Sequence, residues 1–577
     1  MSPRANGQTV GGRPLLNLSF AINYALGGDS PFGYHLANLA IHALAALVLL
    51  GIVRRTLLMP KLANRWASSS LAVALAIALV WTVHPLQTEA VAYAVQRAES
   101  LVSLFYLLTL YCMIRGAERQ GGEKGSGTFC AEHRAPTRSV GRGRSGKRFL
   151  TPFLWYATAV LTCLAGMASK EVMVTAPLVL LLYDWTFVAD TGGEILRRRW
   201  GLYLALAATW CLLAYLVLSS NPLGQRLEVP RLAAWPYART QPQVVLHYLR
   251  LGFWPHPLCL DYEWPVARTA AEIVPPLLAI LALVAAALWG LARRTPWGFL
   301  GAWFFLILAP TSSVIPLGQV AFEHRAYLAI AAPLALAVTS GHAALKWLAS
   351  GAKQSRKPED TESPKNEGQR AGMKINEPHI FSGFLSFRPF VISPFAQTAP
   401  RLLGGGILAA VCVVLGLLTF QRNKDYRDEF TVWQDVLQKA PHNGRAHLNF
   451  GCAVFARGDL DGAILHFQKA LEIDPDFADT HNNLGVALFQ RGRVDEAIAH
   501  YRTALKLYPR YMSAHFNLGN ALAQRGWLGE AADHWQVAAE LAAERGNQPL
   551  AADLRQRVQR LRAAPSPWNV VPPPARP

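Results

Sequence analysis

Apolar runs long enough to cross a hydrocarbon layer recur along most of this chain, and they restrict its fold more than any other feature. A spanning helix needs about 20 apolar residues, because each residue rises about 1.5 Å against a hydrocarbon core roughly 30 Å thick. Runs near that length lie at about 35–53, 68–84, 100–114, 150–168, 171–188, 200–219, 273–292, 298–310, 327–348 and 402–420. A shorter one near 243–254 fits a re-entrant or interfacial segment. Helices satisfy their own backbone in lipid, so the expectation is an all-α chain whose body is a polytopic membrane helix bundle of about ten spans. Hydrophobic residues make up 52% of the 577 and charged residues 16%, which fits such a body with a more polar part attached.

The formal charge of +19 could point to nucleic acid. The excess, however, sits in short connections between apolar runs, where it orients helices. Arg54, Arg55, Lys61 and Arg65, then Arg115 through Arg148, then Arg197, Arg198 and Arg199, then Arg293 and Arg294, then Lys353 through Arg401 mark alternate connections. These are expected on the cytoplasmic side. The other connections, 85–99, 169–171, 220–272, 311–326 and everything after 421, then share the opposite face. Residues 1–34 fall there too, so either this short polar start is translocated unaided or a further helix lies upstream of Met1, and the second is the expectation. Seven cysteines, Cys112, Cys130, Cys163, Cys211, Cys259, Cys412 and Cys452, stand singly, so neither a disulfide framework nor a metal knuckle follows, and no metal is expected. Segments 116–148 and 350–400 are rich in Gly, Pro, Ser and mixed charge. They are expected as a disordered cytoplasmic loop and linker, without nucleic-acid binding.

The carboxyl-terminal part repeats itself every 34 residues. Asn449, Asn483 and Asn517 are one period apart, as are Gly451, Gly485 and Gly519, Phe467, Tyr501 and Trp535, and Pro441, Pro475 and Pro509. That period is the tetratricopeptide spacing, a pair of antiparallel helices per unit stacked into an α-solenoid. Small residues let the paired helices approach, the aromatic fills the gap, and proline ends the second helix. The asparagines admit two uses: a ladder of amides holding the backbone of an extended peptide, or bonds between neighbouring helices. The domains expected are a membrane body at 1–349, the linker, a last span at 401–421, a repeat array at 425–562 and a disordered tail at 563–577.

The connections assigned to the far face carry most of the chain's unusual charge. "WTVHPLQTEAVAYAVQRAES" holds His84, Glu89, Arg97 and Glu99, and "ASKEV" holds Lys170 and Glu171. "WPHPLCLDYEWP" holds His256, Asp261, Tyr262 and Glu263, and "FEHRAY" holds Glu323, His324 and Arg325. Cations beside carboxylates at a membrane surface suit an anionic lipid phosphate together with a base working on a hydroxyl. Taken singly, each charge equally fits snorkelling or a helix-stapling ion pair.

"RPLLNLSFAINYALGGDSPFGYHLANLAIH", "HPLQTEAVAYAVQRAESL", "SKE", "FWPHPLCLDYEWP", "EHRAYL" and the repeats, in this order, resemble the transmembrane and tetratricopeptide repeat-containing O-mannosyltransferases and their bacterial relatives. The resemblance implies a GT-C-type membrane fold that moves a sugar, typically mannose, from a polyprenyl-phosphate carrier to a hydroxyl of a secreted or envelope protein. It implies no further cofactor. By position it carries over Arg97, Lys170, His324 and Arg325 as contacts for the carrier phosphate. It leaves Glu89, Glu171 and His84 as candidates for catalysis, acceptor positioning or structural support, and makes the repeats, where Asn449, Asn483 and Asn517 are the candidate peptide contacts, the part that recruits the acceptor. The family's acidic base belongs to a loop after its first helix, which would lie before Met1, so the catalytic residue stays unknown. A bacterial inner membrane with extracytoplasmic repeats is the expected location. A non-catalytic membrane-anchored scaffold is the alternative, and a transporter fits less well because the charges gather at one face.

Overall fold

The computed structural model describes residues 13–121, 145–219, 233–312, 320–354 and 394–563. The all-α expectation holds, with helices throughout and no strand among the described residues. The membrane part begins with α1 (Pro14–Gly27), α2 (Pro31–Leu57), α3 (Pro60–Trp66), α4 (Ser70–Thr82), α5 (Thr88–Ala92), α6 (Arg97–Gly121) and α7 (Ser145–Met167). It continues with α8 (Ala176–Tyr183), α9 (Gly192–Ser219), α10 (Ala234–Phe253), α11 (Ala270–Ala292), α12 (Pro296–Leu308), α13 (Ala331–Gln354) and α14 (Pro394–Asp425). The array comprises α15 (Glu429–Lys439), α16 (Gly444–Ala456), α17 (Leu460–Ile473), α18 (Ala478–Gln490), α19 (Val494–Leu507), α20 (Met512–Gln524), α21 (Leu528–Glu544) and α22 (Gln548–Ala563).

Among the described residues seven helices are long and apolar enough to cross a bilayer: Pro31–Leu57, Pro60–Thr82, Arg97–Gln120, Glu171–Val188, Gly192–Ser219, Ala270–Ala292 and Leu402–Asp425. Two further apolar helices, Pro152–Met167 and Pro296–Leu308, are shorter. The 13 residues of α12 cover only about 20 Å, less than a hydrocarbon core. The short run near 243–254 is the end of the longer α10, and the run near 327–348 becomes α13. Most of the loop expected at 116–148, of the linker at 350–400 and of the tail at 563–577 lies outside the described residues. Helices α6, α7, α13 and α14 reach several residues into the first two.

At the centre stands α6, whose Val102, Tyr106, Leu107 and Leu110 are buried in one apolar cluster with residues of α2, α7 and α12. Leu36, Leu39, Leu44 and Leu47 of α2, Leu278, Leu281 and Leu288 of α11, and Leu403, Val413 and Leu417 of α14 are exposed. Apolar side chains left outside a bundle are what lipid contact permits.

In the array, α15 stands alone, α16 to α21 form successive pairs, and α22 follows. Phe467, Tyr501 and Trp535 are buried between paired helices, each over a glycine. A Cβ on Gly451, Gly485 or Gly519 would sit 2.7, 2.6 or 2.5 Å from the facing ring, so those positions admit no side chain without movement. Exposed ion pairs Arg457–Asp428, Arg491–Asp461 and Arg525–Asp495 link successive units, adding little each but repeating with the period.

Candidate functional site: a buried charge cluster where the array meets the bundle

The path from α4 to α6 is broken into short pieces. A 3-10 turn, Pro85–Gln87, is followed by α5 and a second turn, Ala94–Gln96, before α6 opens at Arg97. Breaks of this kind let polar side chains turn inward where a continuous span would carry apolar ones. Glu89 and Glu99 are both buried. The 3-10 turn Glu323–Ala326, ahead of α13, buries Glu323, His324 and Arg325.

His324 is the junction. Its ring Nδ1 shares a proton with Glu89 Oε1 at 2.6 Å, and its backbone N–H donates to Glu89 Oε2 at 3.0 Å. Its Nε2 lies 3.7 Å from Glu99, which is also paired with Lys170. Glu89 feels the charges of Arg422, Lys170 and Arg325 as well. Glu323 accepts from the Tyr262 hydroxyl at 2.7 Å and from the Cys259 backbone N–H, and lies 3.8 Å from the Arg422 guanidinium. Three carboxyl groups, three cations and one imidazole therefore gather at one end of the bundle.

Burial pushes Glu89 up to about 8, against the His324 N–H and the nearby cations that favour its charged form. Burial likewise raises Glu323 to about 7 and lowers His324 to about 3. The site thus holds a neutral imidazole beside carboxyls that change charge near neutral pH, a condition suited to moving protons.

The first array helices dock beside this cluster. Arg422, in the last turn of α14, binds Asp435 of α15 at 2.7 Å and Asp425 at 3.0 Å. Asn443 donates to the Asp261 carbonyl at 3.2 Å, Arg445 pairs with the Asp261 carboxylate at 3.2 Å, and Lys439 donates to the Leu258 carbonyl at 2.7 Å. Cys259 and Leu260 are buried with Val432, Val436 and Ala446 in a small apolar seam. The loop between α10 and α11 thus touches both Glu323 and the repeats.

Of the site residues carried over from sequence, Glu89, Lys170, His324 and Arg325 come together, joined by Glu99 and Glu323 of the same connections, whereas Arg97, Glu171 and His84 hold other partners. Arg97 corrects the expectation of a phosphate contact. It is fully buried, and its Nε and both terminal nitrogens donate to Asn38 Oδ1 at 2.6 Å, Ser19 O at 3.1 Å and Tyr34 O at 3.1 Å. Its guanidinium lies 4.6 Å from the Phe20 ring centroid. Side chains two positions apart on a helix diverge by about 200°, so Arg97 faces α1 and α2 while Glu99 faces the cluster. Glu171 pairs with Arg13 at 3.0 Å, whereas its neighbour Lys170 pairs with Glu99. His84 is buried in its own turn, accepting the Leu86 N–H, and burial lowers its imidazole to about 4. Arg325 donates to Tyr237 at 3.2 Å, Thr311 at 3.1 Å and Val320 at 3.0 Å.

Asn483 bonds Cys452 Sγ at 3.3 Å and Asn517 bonds Asn482 Oδ1 at 3.0 Å, both reaching the preceding unit, while Asn449 bonds the Arg445 carbonyl of its own helix. Bonding between helices thus engages two of the three. Arg422 escapes sequence reasoning, because a cation in the last turn of a span reads as ordinary snorkelling.

The TPR repeat family model matches residues 451–490 and 486–526. Protein O-mannosyl-transferase Tmtc3 of Drosophila melanogaster is 27% identical over 522 residues, 80% of this chain and 48% of that protein. Protein O-mannosyl-transferase TMTC1 of Homo sapiens is 26% identical over 81% of this chain and 48% of its own length. Over about four-fifths of its length the chain is similar to proteins named as TMTC protein O-mannosyl-transferases. It spans about half the length of these two curated relatives. Tmtc2 of Drosophila melanogaster is 30% identical over a shorter stretch, 35% of this chain and 18% of that protein. Among solved structures, the crystal structure of MamA is 20% identical, covering 23% of this chain and 86% of its own, at a TM-score of 0.19.

Proposed function

We propose that the chain is a membrane glycosyltransferase that moves a sugar, mannose before others, from a polyprenyl-phosphate carrier to a hydroxyl of a protein held by the repeats. The transfer takes place on the extracytoplasmic face, in an inner membrane of bacterial type, where the alternating arginines leave the other face for the cytoplasm. One observation carries the reading: Lys170, His324 and Arg325 converge with Glu89, Glu99 and Glu323 at the end of the bundle where the repeats dock. Lys170 and Arg325 serve the carrier phosphate, which replaces Glu99 as the partner of Lys170. His324 and Glu89 keep the pocket's proton balance. The array brings the acceptor to the same end, its asparagine ladder contacting the peptide.

The experiment uses the full chain reconstituted in liposomes with polyprenyl-phosphate-mannose and an unfolded Ser/Thr-rich polypeptide. Sugar transfer is expected, and Lys170→Met or Arg325→Met should weaken carrier binding at least about tenfold, the scale of a lost charge-assisted bond. Carrier binding that neither substitution changes would overturn the assignment. A second reading, a non-catalytic scaffold displaying the array, draws on the way Arg97 and Glu89 already spend their polar atoms inside the protein. It is distinguished by acceptor binding without any carrier binding.

A further inference from the structure

The array carries a second ladder that neither the fold nor the proposed transfer requires. In each of three successive units a histidine of the first helix faces a histidine of the second. Nδ1 of His447 lies 3.0 Å from Nδ1 of His466, that of His481 lies 3.0 Å from His500, and that of His515 lies 2.9 Å from His534. The rings are nearly parallel or tilted, at 27°, 30° and 37°. The inner ring of each pair also bonds through Nε2 to a proline carbonyl, at Pro441 (3.1 Å), Pro475 (3.0 Å) and Pro509 (2.9 Å).

These contacts fix where the protons are. A carbonyl only accepts, so each inner Nε2 carries the hydrogen, and the Nδ1 of a neutral inner ring is a bare acceptor. The outer ring must then donate from its own Nδ1. Its Nε2 is left to take one further proton without breaking any bond. A second added proton has only the inner Nδ1 to occupy, where it meets the outer N–H head-on and places two cations about 3 Å apart. We infer that the three pairs form a pH-sensitive latch: each closed pair accepts one added proton and excludes the second, so acidification opens the paired helices of the array.

The charged surroundings do not relieve the exclusion. His442, Lys469, Glu472 and Asp459 face the first pair, Arg493 and Glu496 the second, and Arg502, Glu530 and Asp533 the third. Each set includes a cation as well as an acid. Burial, and for the outer rings the partner ring too, holds His447, His466, His500 and His534 below the ordinary imidazole range. In the open chain each histidine protonates near about 6.5. The open state therefore binds more protons below that pH, and stability is lost as pH falls. One excluded proton per pair gives up to about a thousandfold per pH unit if all three pairs open together, and about tenfold if they open singly.

The test is hydrogen exchange of the full chain in detergent at pH 7.5 and pH 5.0, corrected for the intrinsic exchange rate. Amides of α16 to α21 should lose at least tenfold in protection at the lower pH, while those of α2 and α6 hold theirs. The variant His466→Gln/His500→Gln/His534→Gln should lose this dependence, because an amide donates to a neutral inner ring and flips to accept from a protonated one. The single change His500→Gln should spare α18 and α19 alone, which keeps the outcome readable if the triple variant folds poorly. Equal protection of the natural chain at both pH values, or a single variant with unaltered pH dependence in α18 and α19, overturns the latch.

Discussion

Glu89 is where burial and charge pull hardest against each other. Both of its oxygens are bonded to His324, yet burial holds its carboxyl near about 8. A folded-state value above the ordinary carboxylate range means that the folded chain keeps a proton the unfolded chain releases. This group's contribution to stability is then full below about 4.5 and is lost as pH rises towards 8. Glu89→Gln imitates the protonated acid at every pH. Its melting temperature relative to the natural chain should therefore rise by a few degrees between pH 5 and pH 8.5, and a difference that stays flat or falls would remove Glu89 as the titrating group. The same neighbourhood marks how far residue types can be read from a sequence. That Glu89, Lys170, His324 and Arg325 share one end of the bundle is legible from loop charge alone. That Arg97 leaves the group is a matter of helix phase, since the onset of α6 decides which of Arg97 and Glu99 turns inward. Arg422 is invisible for a different reason: its partners Glu323 and Asp435 belong to segments whose contact depends on how the array docks.

Among the elements, the repeats are the most legible, because a 34-residue period records the same packing problem solved several times. The membrane helices, α12 among them, are legible as apolar runs, but their ends and breaks are not, and α5 is too short to announce itself by hydropathy. The packing rule in the repeats can be tested at Gly485. A Cβ there would lie 2.6, 2.9 and 3.0 Å from ring atoms of Tyr501, so Gly485→Ala forces the ring or the helix to move. Overpacking of this kind costs about 1–3 kcal/mol, against a gain of up to about 1 kcal/mol in helix propensity. Amide exchange in α18 and α19 should speed up about five- to tenfold. Adding Tyr501→Leu should recover part of the loss, because the two changes meet at one contact and cannot be additive. Two independent losses that simply sum would show that glycine is there for some reason other than the ring.

For the whole molecule the decisive feature is that the array is bonded to the site's own loop as well as joined in sequence to α14. Lys439 and Arg445 reach across to Leu258 and Asp261, and the apolar seam of Cys259, Leu260, Val432, Val436 and Ala446 lies beside them. The same loop supplies Tyr262 and the Cys259 N–H to Glu323. On the proposed reading, an acceptor held by the repeats would sit at a set position from the charge cluster, and most of the entropy of bringing the two together would be lost once, on folding, and not at each encounter. Lys439→Met with Arg445→Met removes two of the polar links and leaves the Asn443 bond to Asp261 and the seam. Both side chains are partly exposed, so each change should cost on the order of 1 kcal/mol or less. Amides of residues 256–263 should then exchange about fivefold faster while α18 to α21 keep their protection. If the transferase reading holds, transfer to a long acceptor polypeptide should fall more than transfer to a short hydroxyl-bearing peptide, since only the long one spans from array to site. Equal losses for both acceptors would mean that docking supports the loop alone, and unchanged exchange at 256–263 would mean that the seam holds the array without those two cations.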